Sequence, residues 1–169
     1  MTRARLLFSS IVLALAALGD APPASASHYR FDRVELVTAA EARALRQNGI
    51  HDTRELLHWT ARRRNRAWLA EASAIPYERL TALATQCDLL RIDGIGPTMV
   101  DALQKAAVID TTELAYASPT ALLERLRIVT RGTPMRQRLP DEDTLAVWIR
   151  DARRLAPVLE DVPRPDAGR

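Results

Sequence analysis

The strongest constraint on the fold is an internal repeat at a spacing of 58 residues. Residues 31–57 align with residues 89–115 without a gap, and each copy ends in the pattern Asp-Thr-x-Glu-Leu. The aspartate of this pattern caps the start of a helix, and the glutamate reaches back towards the preceding N–H groups. A repeated unit that cannot bury its apolar face alone is covered by its neighbour. The repeat therefore predicts two similar helical units with Leu45 and Leu103 in one shared core.

The composition favours an all-α fold. Of the 169 residues, 47% are hydrophobic and 27% are charged, as in ordinary globular proteins. Residues with high helix propensity dominate, and alternating runs of β-branched residues are absent. One cysteine and three scattered histidines do not suffice for a metal cluster, and nothing indicates a cofactor. Cys87 lies in a predicted helix from about Tyr77 to Leu90 and is expected to be a small buried residue.

A glycine-rich turn in the second copy suggests a binding function. The sequence Arg91-Ile-Asp-Gly-Ile-Gly-Pro97 places two glycines, which let another backbone approach closely, before a proline suited to the first helical position. Free N–H groups at such a helix start form an anion site. The stretch resembles the helix-hairpin-helix motif that holds nucleic-acid phosphates in many repair and competence proteins. The candidate binding residues are Arg91, Gly94, Ile95, Gly96, Thr98 and Lys105.

The first copy lacks these glycines. Leu36-Val-Thr38 stands where the second copy has Gly-Ile-Gly, and Thr38 with Glu41 matches an ordinary capping box. A turn of this kind does not approach a phosphate easily. We therefore interpret the first copy as a structural twin that buries the apolar face of the second.

The segment between the copies carries two tryptophans and the densest charge of the chain. We expect Trp59 and Trp68 to be core anchors. The nearby arginines allow two interpretations: a basic patch for phosphate or anionic lipid, or a solvated turn between helices, which we favour. The candidate patch comprises Arg62, Arg63, Arg64 and Arg66. After the second copy, the sequence predicts one helix that begins at Ser118-Pro119 and another over about residues 141–155.

The first 26 residues are expected to be an export signal. Arg3 and Arg5 precede an apolar run over residues 6–18, and Ala24-Ser-Ala26 provides small residues for cleavage after Ala26. The apolar run is shorter than the ~20 residues that a helical membrane span requires. We therefore favour removal of the segment over its retention as an anchor.

Removal of this segment leaves 22 basic and 20 acidic residues, a formal charge of +2. This balance lacks the basic excess of proteins that bind nucleic acid through counterion release. The predicted mature protein lies in the periplasm or outside the cell, without a stable membrane span. It would contain one tandem helix-hairpin-helix domain over residues 27–160 and a disordered tail over residues 161–169.

The order of these motifs resembles a bacterial domain-of-unknown-function family built from tandem helix-hairpin-helix repeats. The resemblance covers roughly residues 31–155. It rests on Asn48-Gly-Ile-His-Asp-Thr-Arg-Glu-Leu-Leu57, Arg66-x-x-Leu-Ala70, Cys87-Asp-Leu-Leu-Arg-Ile-Asp-Gly-Ile-Gly96, Asp110-Thr-x-Glu-Leu114 and Trp148-Ile-x-x-Ala152. It implies the fold and a habit of binding nucleic acid or protein, and it brings no established activity, substrate or catalytic residues.

We expect a binding protein rather than an enzyme. The sequence contains no HExxH, GxSxG or phosphate-loop lysine motif. His28 follows the cleavage site, His51 lies in a repeat turn, and His58 adjoins Trp59, so none is paired by sequence with a nucleophile. No small-molecule substrate is indicated.

Two function classes remain: an exported interaction module whose partner is a protein of the cell envelope, and a module that binds the DNA backbone weakly. DNA binding is supported by the second hairpin and by the cations Arg91 and Lys105. Against it, Thr98 stands where DNA-binding hairpins commonly offer lysine, and Asp93 and Asp101 place negative charge beside the phosphate. We favour the protein partner.

Overall fold

The computed structural model describes residues 28–163, and over that range it contains eight α-helices and two 3-10 helices. The α-helices are α1 (Ala39–Gln47), α2 (Thr53–Thr60), α3 (Arg63–Ser73), α4 (Tyr77–Leu89), α5 (Pro97–Lys105), α6 (Thr111–Tyr116), α7 (Pro119–Val129) and α8 (Glu142–Arg154). The 3-10 helices span Phe31–Arg33 and Pro134–Arg138. Within the described residues there is no strand, and the predicted all-α fold class is confirmed.

The two copies of the repeat form helices that begin 58 residues apart, α1 with α5 and α2 with α6. The side chain of Asp52 accepts a hydrogen bond from the Glu55 N–H at 2.8 Å, and Asp110 accepts one from Glu113 at the same distance. These are the caps that the sequence predicts. The capping box of the first copy is also present, because the Thr38 N–H donates to the Glu41 carboxylate at 2.7 Å.

Both α1 and α5 end at a left-handed residue. Gly49 has φ +75° after α1, and Ala107 has φ +59° at the matching place after α5. The next residue then turns back, so that the Ile50 N–H donates to the Leu45 carbonyl at 3.0 Å and the Val108 N–H donates to the Leu103 carbonyl at 2.9 Å. The fold therefore accepts alanine where the first copy has glycine.

The copies differ in how the start of their second helix is held. In the first copy, a backbone group accepts the first N–H of the helix, because the Thr53 N–H donates to the Tyr29 carbonyl at 3.0 Å. In the second copy, the buried carboxylate of Asp88 accepts from the Thr111 N–H at 2.9 Å and from the Thr111 hydroxyl at 2.6 Å. One side chain thus replaces a stretch of main chain.

One apolar core runs through both copies. Leu45 and Leu103 are fully buried members of the same cluster, as the repeat predicts. Helix α2 packs against α4, α5 packs against α7, and α8 packs across α6 and α7. Cys87 is buried in this core, and burial raises the pKa of its thiol far above the usual range. The thiol is therefore protonated at any physiological pH.

The expected core role of the two tryptophans is wrong. Trp59 on α2 is 37% exposed and Trp68 on α3 is 49% exposed. The inward faces of these helices are filled instead by Leu56 on α2 and by Leu69 and Arg66 on α3, all fully or almost fully buried. The tryptophans lie on the remaining faces and are left at the surface.

The other helix boundaries agree with the sequence to within one residue, since α4 ends at Leu89 and Asp141 is the cap of α8. The predicted signal, residues 1–26, lies outside the described residues, as do positions 164–169 of the predicted tail. Among the helices that are described, none is long and apolar enough to cross a membrane.

Candidate functional site

The glycine-rich turn joins α4 to α5 and packs against α8. Gly94 has φ +83°, and a Cβ added there would lie 3.2 Å from Nε1 of Trp148. The backbone angle therefore favours glycine at this position, and an added Cβ would press against Trp148. Gly96 is the N-cap of α5 with extended backbone, and a Cβ there would meet only the Tyr29 hydroxyl at 3.9 Å. Ile95 between them is fully buried.

The two cations predicted at this turn are held by acids of the same chain. Nη1 of Arg91 lies 2.7 Å from the buried Asp88 carboxylate and donates to the Ala156 carbonyl at 3.3 Å. Nζ of Lys105 lies 2.7 Å from Asp101, one helical turn away. Arg91 and Lys105 thus lie at opposite ends of the motif and do not converge on one point.

Charged side chains of both signs line the space between the two turns. A depression of about 380 Å³ is lined by Glu35 from the first turn and by Thr98 and Asp101 at the start of α5. Arg79 also lines it, but its guanidinium donates to the Glu41 carboxylate at 2.7 Å. That hydrogen bond, with a smaller contribution from the Thr38 N–H, lowers the pKa of Glu41.

Three of the four arginines of the candidate basic patch lie at the surface. Arg62, Arg63 and Arg64 are exposed, but Arg66 is fully buried, so its assignment to a surface patch is wrong. Its Nη1 donates to the carbonyls of Thr60 at 2.6 Å and Ala61 at 3.1 Å, at the end of α2. The negative end of the α2 dipole thus receives the guanidinium charge.

The same guanidinium holds the segment after α8, residues 156–161, which we call the C-terminal segment. Nη2 of Arg66 donates to the Glu160 carbonyl, and the Glu160 N–H donates to the Ala61 carbonyl at 2.9 Å. At the other end, Ala156 is held by Arg91. The C-terminal segment therefore crosses from the glycine-rich turn to the start of α3.

A cleft of about 720 Å³ opens beside the C-terminal segment, and we call it the cationic cleft. Its charged and titratable lining consists of His28, Arg54, His58, Arg62, Arg91 and Glu160. Burial lowers the pKa of His28, and the charge of Arg54 lowers it further, against an opposing effect of Asp52. Among the described residues, the side chains of Arg54 and Arg62 form no ion pair or hydrogen bond, and both are exposed.

The exposed tryptophans stack on each other. Their ring centroids lie 5.4 Å apart with an interplanar angle of 28°, and the His58 ring meets Trp59 edge-on at 6.5 Å. A smaller depression of about 290 Å³ is lined by Arg54, His58 and Trp59, together with the carboxylates of Asp52 and Glu55, which accept backbone N–H groups at the start of α2. It shares Arg54 and His58 with the cationic cleft, so the tryptophan stack lies at one end of a continuous surface.

Sequence reasoning missed this surface because its residues come from distant parts of the chain. One signal was available for Trp68: it follows Arg64 by one helical turn and precedes Glu71 by another, and this face of α3 is polar. Nothing comparable in the sequence joins His28 and Arg54 to Arg91 and Glu160. Over the described range, no three His, Cys, Asp or Glu side chains are arranged to hold a metal ion.

Comparison with known proteins gives one match. Residues 35–155 match the sequence profile of a family described as a domain of unknown function, DUF4332. No curated protein and no solved structure matches the chain.

Proposed function

This chain belongs to the DUF4332 family of domains of unknown function, and from that premise we propose that it is a non-enzymatic helical module whose partner is a protein of the cell envelope. Two tandem helix-hairpin-helix units form its framework in this proposal. The observation that carries it is the exposed Trp59–Trp68 stack. Exposed aromatic side chains beside arginines have the composition of interface hot spots, and large exposed apolar groups mark interaction sites.

The charges around the second turn support a protein partner over DNA. A phosphate at this turn would compete with Asp88 for Arg91 and with Asp101 for Lys105. It would also approach the carboxylates of Glu35 and Asp101 in the depression between the two turns. Like charge beside an approaching anion lowers affinity and suppresses association.

Site-specific photo-crosslinking in the native host tests the proposed partner. A photoreactive phenylalanine analogue at Trp68 is expected to give a discrete adduct with an envelope protein. The matched control is the same analogue at Ile128 on α7, which is 62% exposed and lies outside the tryptophan stack. Adducts of equal intensity at both positions, or none at Trp68, would contradict the proposal.

Export is part of the same proposal. The charged start, the apolar run and the small residues before Ser27 support cleavage after Ala26. Mass spectrometry of the protein from its native host is expected to find Ser27 at the N-terminus. An intact Met1 in the soluble cytoplasmic fraction would contradict export.

Weak, sequence-independent DNA binding through the second turn is the second candidate. It is favoured by the N-terminus of α5, where Gly96 provides no capping side chain and Thr98 is exposed. Fluorescence anisotropy on a short duplex at two salt concentrations tests it. Wild type is expected to bind no tighter than about 10⁻⁴ M at physiological salt, and Thr98→Lys is expected to bind more tightly. Micromolar wild-type binding that weakens with salt and with Arg91→Ala would replace the protein partner by DNA.

A further inference from the structure

We propose that the cationic cleft binds an acidic peptide segment of the partner, with the Trp59–Trp68 stack receiving an apolar side chain of the same segment. The inference rests on the proposed function and assigns it a site and a ligand chemistry. Its first support is charge. Arg54 and Arg62 project from α2 and from the start of α3 into one cleft, and both are exposed. Arginine is well suited to bidentate contacts with carboxylates.

The cleft already contains a carboxylate of this chain. Oε2 of Glu160 accepts a hydrogen bond from the Arg63 N–H at 3.3 Å, at the N-terminus of the eleven-residue helix α3. The N-cap residue Arg62 makes no side-chain hydrogen bond to this helix start. The positive end of the helix dipole and its free N–H groups favour an anion there. Glu160 therefore shows which functional group the cleft accepts.

The apolar part of the surface determines the second feature of the ligand. Leu57, Ala61 and Val158 lie among the cations of the cleft, and Trp59 lines the adjoining depression. The two carboxylates of that depression, Asp52 and Glu55, already accept backbone N–H groups of this chain. The two tryptophan rings stack on each other, and each keeps more than a third of its surface exposed. A segment that carries carboxylates and a neighbouring leucine or aromatic residue matches both parts.

The number of cations favours a peptide over a nucleic-acid strand. A strand presents a phosphate at every nucleotide, and its affinity comes from a row of cations that release counterions. Here, two exposed arginines without an ion pair to any described residue line the cleft, and Arg91 is already bound to Asp88. Two or three carboxylates are enough to occupy such a site.

Binding of a fluorescein-labelled peptide to the full chain tests the inference. The probe is a short peptide of aspartate and glutamate with one leucine and one tryptophan, and its control is the same peptide with asparagine and glutamine. Arg54→Gln combined with Arg62→Gln is expected to weaken binding of the acidic peptide about tenfold or more. The matched control is Arg131→Gln with Arg136→Gln, which removes two exposed positive charges elsewhere and is expected to change affinity less than about twofold.

Two more variants locate the peptide on the surface. Glu160→Gln removes a like charge but keeps an oxygen that can accept from Arg63, and it is expected to tighten peptide binding about threefold. Trp68→Ala is expected to weaken binding of the acidic peptide about fivefold or more. Circular dichroism confirms that each variant is folded.

The outcomes separate this inference from the proposed function. Equal loss of affinity in both double-arginine variants, equal binding of the neutral peptide, or unchanged affinity in Glu160→Gln would overturn the acidic-peptide site. Tighter binding of a thymidine oligonucleotide or of phosphatidylglycerol vesicles, lost in the Arg54 and Arg62 variant, would assign the cleft to phosphate instead. If crosslinking at Trp68 succeeds while the peptide fails to bind, the protein partner stands and only the ligand chemistry falls.

Discussion

Replacing Arg66 with methionine removes the guanidinium that joins α2, α3 and the C-terminal segment. Methionine fills much of the same volume, so the change mainly removes hydrogen bonds. The Ala61 and Glu160 carbonyls lie at half-buried and exposed residues, and they can bond to water after the change. The Thr60 carbonyl belongs to a fully buried residue and is left without its partner.

An unsatisfied buried acceptor costs about 1–3 kcal/mol, and a hydrogen bond to a charged group contributes about 1.5–3 kcal/mol. Relief from burying the guanidinium offsets part of this loss. We therefore expect Arg66→Met to lower the free energy of unfolding by about 2–4 kcal/mol. Arg66→Lys keeps the charge but not the planar group and is expected to lose an intermediate amount.

Urea titration followed by circular dichroism at 222 nm measures these differences. Tryptophan fluorescence is less suitable, since the exposed stack lies close to the mutated helix face. The matched control is Arg64→Met on the same helix, where the side chain is exposed and the expected change is within about 0.5 kcal/mol. Equal stability of Arg66→Met and Arg64→Met would refute the reasoning.

Three further predictions concern the core, the glycine-rich turn and the stability of the fold at acidic pH. Leu103→Ala is expected to cost about 2–5 kcal/mol, as buried leucines do, in a denaturant titration, and a loss near zero would place this residue outside the shared core. Gly94→Ala is expected to lower the melting temperature more than Gly49→Ala. Both glycines have positive φ, but only a Cβ at position 94 would lie 3.2 Å from Trp148, whereas a Cβ at position 49 would meet nothing within 4 Å. Equal losses would show that the contact with Trp148 does not matter. The hydrogen bond from Arg79 lowers the pKa of Glu41 in the folded protein. The ionised Glu41 therefore stabilises the fold fully above the ordinary pKa of 4.5, and this stabilisation is lost as the pH falls through the lowered pKa of the folded state. Thermal melts at several acidic pH values should therefore depend less on pH in Glu41→Gln, and an unchanged dependence would contradict this assignment.

The features predicted correctly from sequence are those set by local chemistry. The Asp52 and Asp110 caps, the Thr38 capping box and the starts of the repeated helices follow from patterns a few residues long. The shared burial of Leu45 and Leu103 follows from the repeat itself. Such short-range patterns were sufficient because capping and amphipathic burial act within one or two helical turns.

The errors concern residues whose environment is set by tertiary contacts. Arginine is usually a surface residue, so the sequence predicts an exposed Arg66. In the structure its donors are satisfied in the interior, because the end of α2 and the C-terminal segment provide carbonyl oxygens. Arg66 occupies an inward-facing position on α3, whereas Trp68 lies on the polar face of the same helix. The cationic cleft is of the same kind, since it joins His28 to Glu160 across almost the whole described chain.

The exchange of backbone for side chain at the start of the second helix has a consequence for how each copy tolerates mutation. A main-chain hydrogen bond such as that from Thr53 to Tyr29 is indifferent to which side chain position 29 carries. The contact at Thr111 exists only while position 88 carries a carboxylate or a close isostere. In a saturation mutagenesis screen, position 88 should accept very few amino acids, whereas position 29, whose carbonyl accepts from the Thr53 N–H in the first copy, should accept more. The two copies therefore have similar helices but are expected to differ in how many substitutions they tolerate at this contact.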